Sequence, residues 1–309
     1  MIHYYLSDET GLLKKQSEIT KGSWIQMINP TPEEIEYITN ALNIPDHFIK
    51  DALDTEERSR IEKEEDAVLI IVDYPYVTVD DEIYETIPIG LIITKDNFVT
   101  VSLYDAPILH DFIDKKVKGF YTYKKTRFAF QLLYVISTYY LRYLKQIDKK
   151  ADEIERELHQ SLKNKELYGL LALGKSLVYF TTSLRSNKIV MEKMLRQNYL
   201  KMYEEDKDLL EDVLIEYTQA IEMADTYSTI LSNMMDAFAS IISNNLNIVM
   251  KFLTSITIVL SFPTMVASFY GMNVDLPFQH HPHAFFIPLT FATILSTTTA
   301  IIFWKKRFF

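Results

Sequence analysis

Residues 252–270 read FLTSITIVLSFPTMVASFY and residues 284–304 read AFFIPLTFATILSTTTAIIFW, and neither stretch contains a charged side chain. At a rise of ~1.5 Å per residue, each would form a helix about 30 Å long, which matches the hydrocarbon core of a bilayer. Two buried helices of a soluble core are the rival reading. The flanks favour the membrane: Phe269 and Tyr270 close the first span, and Trp304 followed by Lys305, Lys306 and Arg307 closes the second. The connector, residues 271–283, has no Lys or Arg, so it is expected outside, with both termini in the cytoplasm. The start, Met1-Ile2-His3-Tyr4, lacks the basic and apolar regions of a cleaved signal, and none is expected.

Outward from these spans the chemistry changes. Of the net charge of -10 over 309 residues, the last 58 carry +2 and the preceding 251 carry -12. Such acidity argues against a nucleic-acid partner. With 13% aromatic residues the chain is not one that stays disordered. The absence of cysteine excludes disulfides, thiolate metal sites and a cysteine nucleophile.

Residues 1–120 are expected to form a cytoplasmic α/β domain. Strands are read over 2–6, 24–28, 68–72, 87–93 and 98–103, with a hairpin turn at Lys95-Asp96-Asn97. Thr31-Pro32-Glu33-Glu34 is a capping box that opens a helix to about Asn43. A second helix follows Pro45, and a third covers 107–118. From Ile108 to Phe262 there is no proline, and the Leu, Lys, Glu and Tyr content predicts long helices over 127–163, 166–203 and 207–270. The expected organisation is therefore the α/β domain, long cytoplasmic helices over 121–206, and a stalk helix over 207–270 that continues into the first span. An outer loop over 271–283, a second span over 284–304 and a basic cytoplasmic tail over 305–309 complete a two-helix transmembrane hairpin.

The run from Gly169 through Gly174, Lys175 and Ser176 fits the phosphate-loop pattern GxxxxGK[ST]. That chemistry needs a flexible loop after a buried strand, and these residues sit among strong helix formers. A helix containing two glycines is expected, with no nucleotide site and no enzyme activity.

The stalk carries a second pattern. Stepping back from Gly271 by three and four residues gives Ser268, Thr264, Ser261, Thr257, Thr254, Met250, Asn247, Ser243, Ser240, Asp236, Asn233, Thr229 and Thr226. All but Met250 are small or polar, an inversion of the apolar seam of a coiled coil. A solvated face is one reading of its first half, and a dry contact between small residues is another for the span. The stripe lacks Lys, Arg and Glu and runs unbroken through the membrane, which fits several copies lining a water-filled path. Met250, with neighbouring Leu253, would form an apolar constriction, and Asp236 would be the only charge in the path.

The first span ends in Tyr270-Gly271-Met272-Asn273. With the short loop, basic tail and acidic cytoplasmic part, this resembles the CorA-type magnesium transporters, two-span metal ion transporters with a Gly-Met-Asn motif. The stretch from Asn247 to Thr254 is similar to that family's passage into the bilayer. The resemblance covers the whole architecture. It implies a funnel-like homopentamer in a prokaryotic cell membrane, with first spans lining the pore and Gly271, Met272 and Asn273 as the selectivity filter at its outer mouth. It also implies regulatory Mg²⁺ sites between subunits, and Asp51, before Ala52 and Leu53, looks like the family's regulatory aspartate. Asp212 is the expected partner across that interface, with Glu211 its close competitor.

The chemistry of the motif agrees with the resemblance. Mg²⁺ releases its waters reluctantly, so Asn273 amide oxygens and carbonyls bared at Gly271 can hold it through its water shell. Neutral hydroxyls below would pass the ion without trapping it. Without a nucleotide site, the membrane potential is the expected driving force, about 4.6 kcal/mol per 100 mV for a divalent ion. His280, His281 and His283 in the outer loop read either as incidental or as a transition-metal capture site. Co²⁺ and Ni²⁺ therefore stand beside Mg²⁺ as cargo. A membrane-anchored signalling or scaffold protein, with the polar seam only a helix contact, is the rival function.

Overall fold

The computed structural model describes residues 1–77, 83–160, 164–197, 199–277 and 282–306. In chain order the elements are β1 (Ile2–Ser7), β2 (Leu13–Gln16), β3 (Trp24–Ile28), α1 (Pro32–Leu42), α2 (Asp46–Asp51), β4 (Arg60–Glu64), β5 (Ala67–Val77), β6 (Tyr84–Ile93), β7 (Phe98–Ser102), α3 (Pro107–Ile113), α4 (Lys125–Gln160), α5 (Asn164–Arg196), α6 (Glu204–Tyr270) and α7 (Phe286–Lys305). Two compact units result, Met1–Asn233 and Met234–Phe309, and α6 contributes to both.

The first unit is built on a seven-stranded sheet in the order β2-β1-β3-β7-β6-β5-β4. Only the β3–β7 pair is parallel; every other neighbour is antiparallel. The five expected strands are all present, with β5 and β6 longer than read. The two strands the sequence reading missed, β2 and β4, lie at the sheet edges, where charged residues are favoured and hide the β-pattern.

One face of the sheet is covered by α1 and α2, with Ile38, Phe48, Ile49 and Ala52 packed on Ile25, Met27, Leu69, Ile71, Val99 and Val101. A Cβ at Gly90 would collide with the Cβ of Ala52, so glycine is what lets α2 sit this close. The capping box forms as read: Thr31 Oγ1 accepts from the Glu34 N–H, and Glu34 accepts from the Thr31 N–H. Asn43, in the left-handed conformation at φ 50°, ends α1. On the opposite face, Phe128 of α4 lies against Trp24 and Phe98, with ring centroids 5.1 and 4.3 Å apart.

The long helices depart from expectation only at their ends. α3 stops at Ile113 because Lys115 turns left-handed at φ 60°. α5 ends at Arg196 rather than 203. α6 starts at Glu204, where the buried Asp206 carboxylate accepts the Tyr203 N–H at 3.1 Å. The phosphate-loop lookalike is helical, within α5. Its glycines serve packing: a Cβ at Gly169 would stand 3.0 Å from Ile154 of α4, and one at Gly174 3.4 Å from Leu231 of α6. Its Ser176 is buried and accepts the Tyr84 N–H at 3.2 Å.

Candidate functional site

The expected pore-lining residues all lie on α6, so the register of one helix decides their placement. In the first unit, Leu210, Tyr217, Ala224 and Leu231 recur every seven residues and are buried. In the second unit, Val266 is buried as well. At about 100° per residue, the stripe positions Thr264 and Ser268 lie about 160° from Val266, one on either side. All fourteen stripe positions, from Thr226 to Gly271, are exposed. From 239 to 254 α6 is exposed on every side, so along that stretch the chain covers neither the stripe nor the faces beside it.

The stripe hydroxyls are oriented by the helix itself. Thr226 and Thr229 donate to the Glu222 and Asp225 carbonyls at 2.7 and 2.9 Å, and Ser240 donates to Asp236 O at 3.0 Å. Within the apolar span, Thr257 donates to Leu253 O at 2.9 Å, Ser261 to Ile258 O at 2.7 Å and Thr264 to Leu260 O at 3.1 Å. Each hydroxyl spends its only hydrogen on the backbone and keeps lone pairs for what lies outside. A row of such oxygens can accept hydrogen bonds from water and carries no negative charge. Asp236 is the charged exception. Met250 and Leu253 are exposed, at 52% and 57%, with Met250 on the stripe and Leu253 beside it.

α6 ends at Tyr270. Gly271 N–H still bonds to Ala267 O at 2.9 Å, and Met272 N–H to Phe269 O at 3.3 Å. A Cβ at Gly271 would stand 3.2 Å from the Ala267 carbonyl oxygen, so glycine eases the exit from the helix. Met272 and Asn273 are both exposed just beyond this end. His280 and His281 lie outside the described residues.

α7 packs on the side of α6 away from the stripe. Ser255, Val266 and Ala292 are buried there, and Ser296 donates to the Val259 carbonyl at 3.2 Å. Both helices are long and apolar enough to cross a membrane, with few of their apolar residues buried inside the chain.

The three expected regulatory acids are placed in the first unit and are not joined by a hydrogen bond or ion pair within the chain. Glu211 and Asp212 are exposed on the early turns of α6. Asp51 is part-buried at the end of α2 and accepts from Arg60 at 2.7 Å. Arg60 also reaches Glu57 and Glu62, and these partners hold its guanidinium above its usual pKa despite the opposing effect of burial. Sequence reading missed Arg60. The alternation of Arg60, Glu62 and Glu64 on one side of a short run was the signal that could have found it.

The profile of a family described as CorA-like Mg²⁺ transporter protein matches residues 20–307. The chain is 28% identical over 289 residues to the cobalt/magnesium transport protein CorA of Methanocaldococcus jannaschii, covering 92% of this chain and 90% of that one. It is 22% identical to the magnesium transport protein CorA of Helicobacter pylori, over 99% of both chains. The complete structure of the CorA magnesium transporter from M. jannaschii superposes with a TM-score of 0.85 at 26% identity, covering 98% of this chain and 97% of that one. The α/β domain, the long helices and the two apolar C-terminal helices follow that architecture, and with the family profile spanning nearly its whole length, the chain belongs to the CorA-like Mg²⁺ transporter family.

Proposed function

We propose that this chain forms a passive, channel-like path for a divalent cation, Mg²⁺ first and Co²⁺ or Ni²⁺ after it, driven by the membrane potential and closed by cytoplasmic metal. Five copies in a prokaryotic cell membrane, with both termini in the cytoplasm, would turn the stripe of α6 toward a shared axis. The observation that carries this reading is that all fourteen stripe positions are exposed within the chain, which leaves a continuous polar seam on a helix apolar enough to cross a membrane. In a bilayer, a continuous polar face needs either water or like faces against it.

The path would begin at Gly271, Met272 and Asn273. There, amide and backbone oxygens would receive the ion with its waters, since Mg²⁺ gives up its shell reluctantly. Ser268, Thr264, Ser261, Thr257 and Thr254 would then pass it along neutral lone pairs. Met250 and Leu253 would form the dewetting constriction, with Asn247 and Asp236 on the cytoplasmic side. For closure, the 251 residues before the spans carry -12 per chain, and copies brought together repel unless cations intervene. Mg²⁺ between Asp51 of one copy and Asp212 or Glu211 of the next would hold the closed assembly, and its loss would release the gate.

Purified protein in liposomes should take up Mg²⁺ in proportion to an imposed inside-negative potential and without nucleotide. Vesicles that stay impermeable to Mg²⁺, Co²⁺ and Ni²⁺ with correctly inserted protein would sink the reading.

A further inference from the structure

The edge strand β4 and the short helix α2 build a second cluster of metal-binding groups, beside Asp51 but made of other residues. Side chains alternate along a strand, so Arg60, Glu62 and Glu64 share one face of β4. Their cross-strand partners, Ile71, Leu69 and Ala67, belong to the core under α1 and α2, which fixes the face as the one α2 covers. α2 lies over that edge with His47 and Asp51 four residues apart, and thus on one side of the helix. Two opposed rows result. Asp51 faces Arg60, while His47 faces the two glutamates.

The imidazole Nε2 of His47 stands 3.5 Å from Glu64 Oε1, too far for a good hydrogen bond. One donor atom from each of His47, Glu62 and Glu64 falls within 4.8 Å of the others. Two ligands on a metal at about 2.0–2.2 Å bond length are separated by somewhat less, so small side-chain rotations would close the set. The backbones that carry it are held in place. Phe48 and Ile49, next to His47, are fully buried in the core, and β4 pairs with β5 along its whole length. The His47 ring also meets the Phe48 ring edge to face at 4.9 Å. The side chains themselves are accessible, His47 being 40% and Glu64 43% exposed, so an ion can reach them from solvent. Arg60 occupies Glu62 at 3.2 Å, but an ionised carboxylate has about four acceptor positions, and the others remain for a metal.

We infer that His47, Glu62 and Glu64 form a cytoplasmic site for a borderline-soft divalent ion of the Co²⁺, Ni²⁺ or Zn²⁺ type, one that discriminates against Mg²⁺. The discrimination follows from the ligands. An imidazole nitrogen suits these transition ions, whereas Mg²⁺ prefers oxygen and its own waters. Three protein ligands leave positions for water, which keeps the site exchangeable. The shared Glu62 links it to Arg60 and thereby to Asp51, so metal here would act next to the residue proposed to sense Mg²⁺.

The probe is Co²⁺ alone, titrated into the purified full-length protein in detergent and followed by its visible d–d absorption, with excess Mg²⁺ present. The outer-loop histidines are replaced (His280→Ala, His281→Ala, His283→Ala) so that they cannot contribute. We expect one saturable Co²⁺ equivalent with an imidazole signature. His47→Gln should remove it, and Glu62→Gln and Glu64→Gln should each weaken it about tenfold or more, since even outer-shell changes at metal sites cost about that much. Unchanged Co²⁺ affinity in His47→Gln, or displacement by Mg²⁺ at comparable concentration, overturns the assignment. Should His47→Gln disturb the fold, Glu64→Gln decides alone, because its side chain is exposed on an edge strand. No transport is measured, so a negative result here leaves the conduction path standing, and failure of uptake in liposomes leaves this site standing.

Discussion

Ser296 on α7 donates its hydroxyl to the carbonyl of Val259 on α6 at 3.2 Å. Val259 lies four residues before Pro263, which interrupts the hydrogen-bond ladder inside α6 because its nitrogen carries no hydrogen. The helix leaves this carbonyl without its usual donor, and the neighbouring helix supplies one. In hydrocarbon an unpaired carbonyl has no water to turn to, so the bond both satisfies α6 and holds α7 to it.

Ser296→Ala should therefore weaken the helix pair by about 0.6–1.7 kcal/mol, the range for hydrogen bonds between membrane helices. Unfolding of the solubilised protein in increasing SDS would measure it. Pro263→Ala restores the N–H at that turn, so the loss caused by Ser296→Ala should shrink in its presence. Equal losses with and without Pro263 would show that the Val259 carbonyl is not what Ser296 serves.

Asn273→Ala should abolish saturable Mg²⁺ uptake while leaving assembly intact. Asn273 is exposed one turn beyond the end of α6. Uptake in liposomes, with particle size checked by light scattering, gives the answer. Wild-type affinity and flux in the assembled variant would remove Asn273 from the filter.

Met250→Gly should raise flux when cytoplasmic metal is plentiful. The thioether is the one large apolar group on an otherwise small or polar face, and removing it widens and wets the proposed constriction. A glycine inside a helix also costs about 1 kcal/mol, so thermal stability must be followed alongside. Lower or unchanged flux in a folded variant would take this face out of the path.

Asn at both Asp51 and Asp212 should raise the Mg²⁺ concentration needed to protect the cytoplasmic part from protease. Asp51 already has a cation beside it, Arg60 at 2.7 Å, so a divalent ion must compete with the guanidinium or share the carboxylate with it. Asp51→Asn alone should then shift protection less than Asp212→Asn alone. Protection curves that overlay the wild type would exclude both residues from sensing.

Asp73 gives a pH dependence. Strand β4 begins at Arg60, opposite Ile71, and so does not reach Asp73 of β5, where the buried Asn187 takes the missing neighbour's place. Its amide accepts the Asp73 N–H at 2.9 Å and donates to the Asp73 carbonyl at 2.7 Å. Burial raises the Asp73 carboxyl pKa, with a hydrogen bond to Ser183 only partly opposing it. A carboxyl with a raised folded-state pKa binds its proton more tightly when folded. Its contribution is complete below the unfolded value of about 4 and is lost as pH rises through the folded value. Asp73→Asn should thus melt higher than wild type at about pH 7, with the gap closing toward about pH 4. A constant gap across that range would contradict the burial argument.

The two apolar spans, the capping box at Thr31 and the unbroken stalk could be read from the sequence because each is local. Hydropathy over about 20 residues, a four-residue cap and a 3.6-residue period need no tertiary knowledge. The family, too, was legible in Tyr270-Gly271-Met272-Asn273 and the order of the segments around it. The heptad steps located the polar stripe, but only packing showed that Leu210, Tyr217 and Val266 are covered, since their burial depends on residues far away in sequence. β2 and β4 were hidden because edge strands carry charge, and their pairing is long-range. For the same reason the Arg60 contact to Asp51 and the approach of His47 to Glu62 and Glu64 could not be read from spacing. Each joins a helix to a strand whose place is set by the sheet. Tertiary structure decided which charges meet, because Coulomb and coordination energies depend on distances in space that spacing along the chain does not specify.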